Sequence, residues 1–474
     1  MSQSFDLVVI GSGPAGQKAA LNAAKLGKRV ALIDRFHSLG GVCIHTGTIP
    51  SKAIREAVLH LTGLNLRQVY GESYSVKQEI TIQDLLYRAE HVVRTEVDVI
   101  RNQMRRNHVS MFFGDASFVD PHTVRVQREQ DHVIDLKGEF ILIAVGTEPA
   151  RPAHVPFTPG RVIDSNELLG LTHLPRSMTI VGGGVIGTEY ACMMAAVGVK
   201  VTLIESRPRL LEFVDEELIE ALQFRLRDQG VRLRLGENVS GIELEDMDVV
   251  ATTTSNKTIR SETLLYCIGR QGATATLGLD RCGLTADNRG RLKVNEVYQT
   301  DVPHIYACGD VIGFPALAAT SMEQGRLASS HMFHQYAESP SQVYPYGIYT
   351  IPEISMIGST EHQLTQSGTP YEVGMARYRE IARGQLIGDH SGLLKLLFHP
   401  QSRRLLGVHA LGTGATELIH IGQAVMAAGM PIDYFVEHVF NYPTLAECYK
   451  VAALDGLNRV RSAKEMTVDL KQAA

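Results

Sequence analysis

The chain has 474 residues, more than one hydrophobic core holds, so several domains are expected. It is 44% hydrophobic and 20% charged, with a net charge of −5 and a sequence pI of about 6.4, so it lacks the basic footprint of a nucleic-acid binder. No apolar run approaches the ~18 residues of a membrane span, and MSQSFDLVVIGSG enters a strand pattern with no basic or signal-type segment.

Phe5 to Ile10 is a short β-branched run closed by Gly11, Gly13, Pro14, Ala15 and Gly16. A helix pattern follows through Leu26, then a strand from Arg29 to Ile33 that ends at Asp34. This is the strand–GxGxxG–helix–strand–acid unit of a dinucleotide fold. Gly11 permits the tight turn, Gly13 lets the backbone approach a pyrophosphate, and Gly16 lets helix and strand pack closely. The helix N-terminus offers free N–H groups to phosphates, and Asp34 is placed to accept from ribose hydroxyls.

Gly40 to Lys52 reads GGVCIHTGTIPSK, with a helix expected from Ser51. Thr81 to Asn107 reads as one long amphipathic helix, with Leu85, Ala89, Val92, Val93, Val97, Ile100 and Met104 as its core face and Thr81 with Asp84 as a capping box. Phe140 to Val145 is a buried-strand pattern closed by Gly146 and Thr147, and the prolines at 149, 152 and 156 place a boundary near residue 150. The cycle restarts at Met178 to Val181. Gly182, Gly184 and Gly187 form a second GxGxxG, and the strand Lys200 to Ile204 ends at Glu205. Two such units mean two dinucleotides. A strand from Thr263 to Ile268 closes at Gly269 and Arg270. HIYACGD ends at Gly309 and Asp310, and a helix pattern that includes Ala318 follows. From about residue 341 the pattern becomes short strands and helices. The six cysteines, at 43, 192, 267, 282, 308 and 448, have neither pairing nor metal spacing, which fits a reducing cytoplasm. Cys192, Cys267, Cys282 and Cys308 read as small buried apolar residues.

GGVCIHTGTIPSK resembles the redox motif of the pyridine nucleotide–disulfide oxidoreductases, GGxCxxxGCIPSK, in which two cysteines pass electrons between flavin and substrate. The resemblance spans essentially the whole chain. It implies an α/β fold with a split FAD-binding domain (1–150 and 271–340), an NAD(P)-binding domain inserted in it (151–270), and a C-terminal α+β dimerisation domain (341–474). In the family the aspartate matching Asp310 binds the ribitol chain of FAD. The lysine matching Lys52 lies beside flavin N5 and pairs with the glutamate matching Glu189. A C-terminal HPTxxE segment completes the partner subunit's site, so a homodimer with one FAD per subunit is implied.

Two departures alter the chemistry. Cys43 is present, but Thr48 stands where the second cysteine would be, and a hydroxyl forms no disulfide. Tyr442 stands where the family's catalytic histidine would be, while Glu447 is kept. Both losses fall on thiol chemistry, and the nucleotide-binding parts look intact. This argues against dihydrolipoamide dehydrogenase, glutathione reductase and mercuric reductase activity. Cys43, His45 and Thr48 together with FNYPT at Phe440 to Thr444 resemble the soluble, Si-specific pyridine nucleotide transhydrogenases. The implied activity is ping-pong hydride transfer between NADPH and NAD⁺, or the reverse. The simple roles for Cys43 and for Tyr442 are packing near the flavin and at the subunit interface, with a hydrogen bond from Tyr442 to flavin or nicotinamide as the other reading. A quinone- or dye-reducing NAD(P)H dehydrogenase, a dihydrolipoamide-dehydrogenase-like flavoprotein with another acceptor, and a flavin-bearing regulatory protein remain open.

Glu205 is the usual NAD signature and opposes the 2′-phosphate of NADP, by up to ~4 kcal/mol at about 4 Å and an effective dielectric near 20. Arg207 and Arg209 follow, and either is placed to offset that repulsion. Arg207 is expected to matter more for NADP(H) than for NAD(H).

Overall fold

Runs of branched apolar residues without polar alternation belong to strands buried on both faces. The structure, a computed structural model, describes residues 3–71, 73–128, 132–335 and 343–472. The chain divides into two compact units. Met1–Ile54, Ile82–Thr172 and Cys267–Ser341 form one, and Arg55–Thr81, His173–Tyr266 and Gln342–Ala474 form the other.

In the first unit the strand Gln3–Ile10 lies between Val30–Asp34 and Val133–Ile143, all parallel, with Ile10 level with Ile33 and Ile143. Ser110–Phe113 extends the sheet beyond Val30–Asp34. The other edge of Val133–Ile143 is shared. Its first residues pair antiparallel with Thr123–Gln127, and its last pair parallel with Ile305–Ala307. The HIYACGD strand therefore returns to the sheet begun at residue 3, and the second nucleotide segment is inserted between the two halves. The Val133–Ile143 strand is longer than FILIAV suggested, because its first half alternates and is only half-buried. Helices Pro14–Lys25 and Ala318–Met332 cross so closely that a Cβ on Gly325 would lie 2.1 Å from the Ala15 carbonyl oxygen. The long helix is Ile82–Arg106, and it buries Leu85, Ala89, Val97, Ile100 and Met104. Val92 and Val93, expected in its core face, lie on the flank and are only partly buried. The motif segment is more helical than its loop-like sequence implied: Gly41–His45 is a helical turn, and the next helix begins at Thr48 rather than Ser51.

In the second unit Ser177–Val181 pairs parallel with Lys200–Glu205 and Thr263–Tyr266, and Arg232–Leu235 lies outside Lys200–Glu205. The C-terminal part is an antiparallel sheet in the order Tyr346–Ile348, Ile354–Gly358, Leu405–Leu411, Leu393–Phe398, Glu372–Arg377. The last helix, Glu447–Gln472, packs on it so tightly that a Cβ on Gly374 would meet the Ala452 carbonyl oxygen at 2.1 Å. Lys395, only 1% exposed, is enclosed by acids. Its Nζ lies 2.9 Å from Asp215 and 3.2 Å from Glu217, and it also pairs with Glu361. Among the described residues, no helix is long and apolar enough to cross a membrane.

Candidate functional site

Where the first strand meets its helix, the chain makes a cavity of about 360 Å³. It is lined by Gly11, Gly13, Pro14, Ala15, Asp34, Cys43, Thr48, Gly146, Thr147, Gly309, Asp310 and Ala318. Most of the residues read as flavin ligands thus converge. The glycines divide by role. Gly11 has φ +106°, and a Cβ there would lie 2.3 Å from the Ala144 carbonyl oxygen. Gly16 lies beneath the cavity, where a Cβ would meet the Gly11 oxygen at 1.9 Å. At Gly13 a Cβ would meet nothing within 4 Å, because that position faces the open cradle. Gly146 faces open space in the same way, with φ +66°. The missing side chains at Gly13 and Gly146 leave the room that a dinucleotide's phosphates need, beside the N-terminus of the helix Pro14–Lys25.

An acid from each half of the split domain reaches this cavity. Asp34 is buried, and its carboxylate accepts the Ser12 N–H at 3.0 Å, the Ser12 hydroxyl and the Phe36 N–H at 3.0 Å. The Ser12 Oγ also accepts the Gly40 N–H at 2.9 Å, which ties the first glycine turn to the start of the motif segment. Asp310 comes from the second half. Burial pushes its carboxyl up, while the Arg270 charge and the Thr147 hydroxyl pull it back down. Arg270 donates through Nε to Thr147 Oγ1 at 2.8 Å and through Nη2 to the Thr147 carbonyl at 2.7 Å. With its oxygen so occupied, the Thr147 hydroxyl points its proton to Asp310 Oδ2, at 3.3 Å. A glycine-lined phosphate cradle flanked by two acids, each with acceptor capacity, is the donor and acceptor set that FAD requires. Ser12 and Arg270 were not read as site residues from sequence. Ser12 looked like a spacer within GxGxxG, and the pairing of Arg270 with Thr147 spans residues too distant for any local pattern to reveal.

In the motif segment the Thr48 side chain lies beside the Cys43 thiol and pulls its pKa down. Burial outweighs that pull and holds the Cys43 thiol above its ordinary value. His45 Nε2 lies 3.0 Å from the Leu39 carbonyl oxygen, so its ring braces the backbone. Lys52 lies one helical turn beyond Thr48, and its Nζ donates to Ser51 Oγ at 3.3 Å. All six cysteines are free. Burial pushes Cys192 to about 12 and Cys282 to about 11, as expected of inert core thiols. Cys308 is fully buried, whereas Cys267, expected with that group, is only partly so.

The second glycine turn belongs to the other unit. Gly182 has φ +115°, a Cβ on Gly184 would meet nothing within 4 Å, and Gly187 is buried in the helix Val185–Ala196. Glu189 on that helix is buried, and its Oε1 accepts the Tyr349 N–H at 2.8 Å. Glu205 accepts the Gly183 N–H at 2.6 Å and the Arg207 N–H at 2.9 Å. The Arg207 guanidinium grips the same carboxylate through Nε at 2.9 Å and Nη2 at 3.1 Å. Burial opposes the charge, but these donors hold the Glu205 carboxyl at about 2. Arg209 pairs with Glu216 instead. Gly269 is exposed and leads into Arg270–Gly272, which pairs with Thr147–Pro149. Tyr442 is 74% exposed. Glu447 opens the last helix with its Oε2 buried and without a hydrogen-bond partner among the described residues.

Comparison with known proteins is consistent across the whole length. Residues 5–325 match the model of the pyridine nucleotide-disulphide oxidoreductases, and residues 344–453 match that family's dimerisation domain. The chain is 54% identical to the soluble pyridine nucleotide transhydrogenase of Mycobacterium bovis (strain BCG / Pasteur 1173P2), over 98% of this chain and 99% of the relative. It is 45% identical to the protein of that name from Colwellia psychrerythraea, over 97% and 99%. Among solved structures it is similar to the HOCl-induced flavoprotein disulfide reductase RclA of Escherichia coli, with TM-score 0.85 and 29% identity over 95% of this chain and 99% of that one. The LpdA structure from Mycobacterium tuberculosis, at 24% identity and TM-score 0.87 over 95% of this chain and 99% of that one, shares the fold.

Proposed function

The chain belongs to the pyridine nucleotide-disulphide oxidoreductase family, and from that premise we propose that it moves hydride between NADPH and NAD⁺, in either direction, with one FAD per subunit and no redox disulfide. One observation carries the reading. Thr48 lines the same cavity as Cys43 and has no sulfur with which to form a disulfide, while the glycines of both nucleotide turns are present. When bound, the flavin supplies a centre that accepts hydride from one nicotinamide nucleotide and returns it to another.

The protein's part is binding, orientation and electrostatics. Gly13 and Gly146 leave room for the phosphates, Asp34 takes the ribose hydroxyls, and Asp310, aligned by Thr147, takes the ribitol chain. Lys52 is proposed as the cation near the reacting end of the flavin. Cys43, half-buried and with its thiol held above the ordinary value, stays protonated and does not intercept electrons. The second glycine turn, with Glu205 and Arg207, takes the nicotinamide nucleotide. Tyr442 is exposed and residues 344–453 match the family's dimerisation domain, which suits a face covered by a second copy of the chain, so we propose a homodimer. Free cysteines throughout suit a reducing cytoplasm.

The test is anaerobic. The bound flavin is reduced with one equivalent of NADPH, NADP⁺ is removed, and NAD⁺ is added while flavin absorbance and NADH are followed. Reoxidation with stoichiometric NADH is expected. Failure of NADPH to reduce the flavin, with NADH succeeding, would refute the reading in favour of an NADH dehydrogenase with another acceptor.

A further inference from the structure

We infer that Glu205 and Arg207 work as one exchangeable charge pair, which lets a single nucleotide site accept both a plain adenine ribose and one carrying a 2′-phosphate. The inference rests on the proposal that this site takes nicotinamide nucleotides.

The two partners are held very differently. Glu205 is 5% exposed and fixed from inside: its carboxylate accepts the Gly183 N–H at 2.6 Å, and a Cβ on Gly183 would press on the Glu205 Cβ at 2.9 Å. Arg207 is 42% exposed, and its side chain is bonded to Glu205 through its fork with the Glu212 charge nearby, so it is the partner that moves. Three donors reach Glu205 without the Arg207 side chain: the Gly183 N–H, the Arg207 N–H, and the Ser206 hydroxyl at 3.0 Å. Glu205 therefore stays satisfied when the fork leaves. A 2′-phosphate draws the fork to itself and meets a carboxylate whose charge is partly spread over those donors. A ribose with free hydroxyls displaces the fork and donates to the oxygens it vacates. Arg209 pairs with Glu216 and is not among the donors to Glu205.

The experiment is calorimetric titration of the flavin-loaded enzyme with 5′-AMP and with adenosine 2′,5′-bisphosphate, which needs no turnover. In Arg207→Ala, bisphosphate binding is expected to weaken roughly 30-fold or more and 5′-AMP by about threefold or less, the scale of a lost charge-assisted bond. In Glu205→Gln the ratio of the two affinities is expected to move toward the bisphosphate. Equal losses for both probes in Arg207→Ala, or unchanged bisphosphate binding, overturns the inference. If Arg207→Ala does not fold, an unmoved ratio in Glu205→Gln overturns it alone. A protein that meets these expectations yet fails to pass hydride from NADPH to NAD⁺ refutes the transhydrogenase reading and leaves the charge pair standing.

Discussion

Replacing Thr48 by cysteine tests whether this position is where a second sulfur would sit. The Thr48 side chain lies beside the Cys43 thiol, and both residues line the same cavity on successive helices. A sulfur replacing Thr48 Oγ1 thus faces the same cavity as Cys43 Sγ, and a disulfide is expected to form with little backbone movement. Closing so short a loop removes about 2 kcal/mol of entropy from the unfolded chain, which favours the bond once an oxidant is present. The assay is a thiol count in denaturant. The wild-type chain yields its six cysteines as free thiols. Oxidised Thr48→Cys is expected to yield one fewer than wild type despite its extra cysteine, and one more after reduction. Anaerobic reductive titration of the flavin-loaded variant is expected to take about two electron pairs per subunit, against about one for wild type. Tyr442 provides no imidazole, so the variant should store these electrons without turning over a small disulfide. An oxidised variant with one thiol more than wild type and an unchanged electron count would refute the placement of Thr48.

Two glycines of one turn should fail differently. Gly13→Ala keeps the fold and loses FAD by about 100-fold or more, because the methyl enters the cradle alone, whereas Gly16→Ala unfolds the flavin-free protein at lower temperature because its Cβ strikes the Gly11 oxygen; circular dichroism melts and flavin titration of both variants separate the two. Arg270→Met frees Thr147 and leaves Asp310 without its counter-charge, so FAD should be held roughly 30-fold more weakly, about 2 kcal/mol; unchanged flavin retention on dilution counts against the relay. Lys395→Met leaves Asp215 buried and uncompensated, at a cost of about 3–5 kcal/mol in the second unit. Scanning calorimetry should show the loss, and Lys395→Met with Asp215→Asn together should recover part of it. Cys43 has its thiol raised above the ordinary 9.0, so its alkylation in the flavin-loaded enzyme should keep climbing as pH rises past that value; a plateau below about pH 8 would show an activated thiolate instead.

What could be read beforehand follows the range of the forces involved. Both nucleotide turns were legible because each packs its signal into about thirty contiguous residues: a strand, glycines whose conformation only glycine tolerates, a helix and an acid. Gly11, Gly16 and Gly182 bear this out through positive φ or a carbonyl oxygen under 2.5 Å from an added Cβ. The altered chemistry was legible for the opposite reason, since Thr48 and Tyr442 are visible only against a familiar frame. Long-range polar pairing was not legible. Arg270 meets Thr147 because Arg270–Gly272 and Thr147–Pro149 form an antiparallel ribbon, and neither stretch has the alternation that announces strands. Lys395 in LLKLLF reads as a lysine that should face water, yet the strand is buried on both faces and the ammonium is met by acids far earlier in the chain. The pairing of Glu205 with Arg207 lies between these cases. The residues are near neighbours and both were singled out, but as rivals for the nucleotide. Only their geometry shows that each is the other's partner first. That changes the expected effect of losing Arg207: beyond a missing phosphate ligand, it exposes a carboxylate whose charge then repels the nucleotide it had helped to admit.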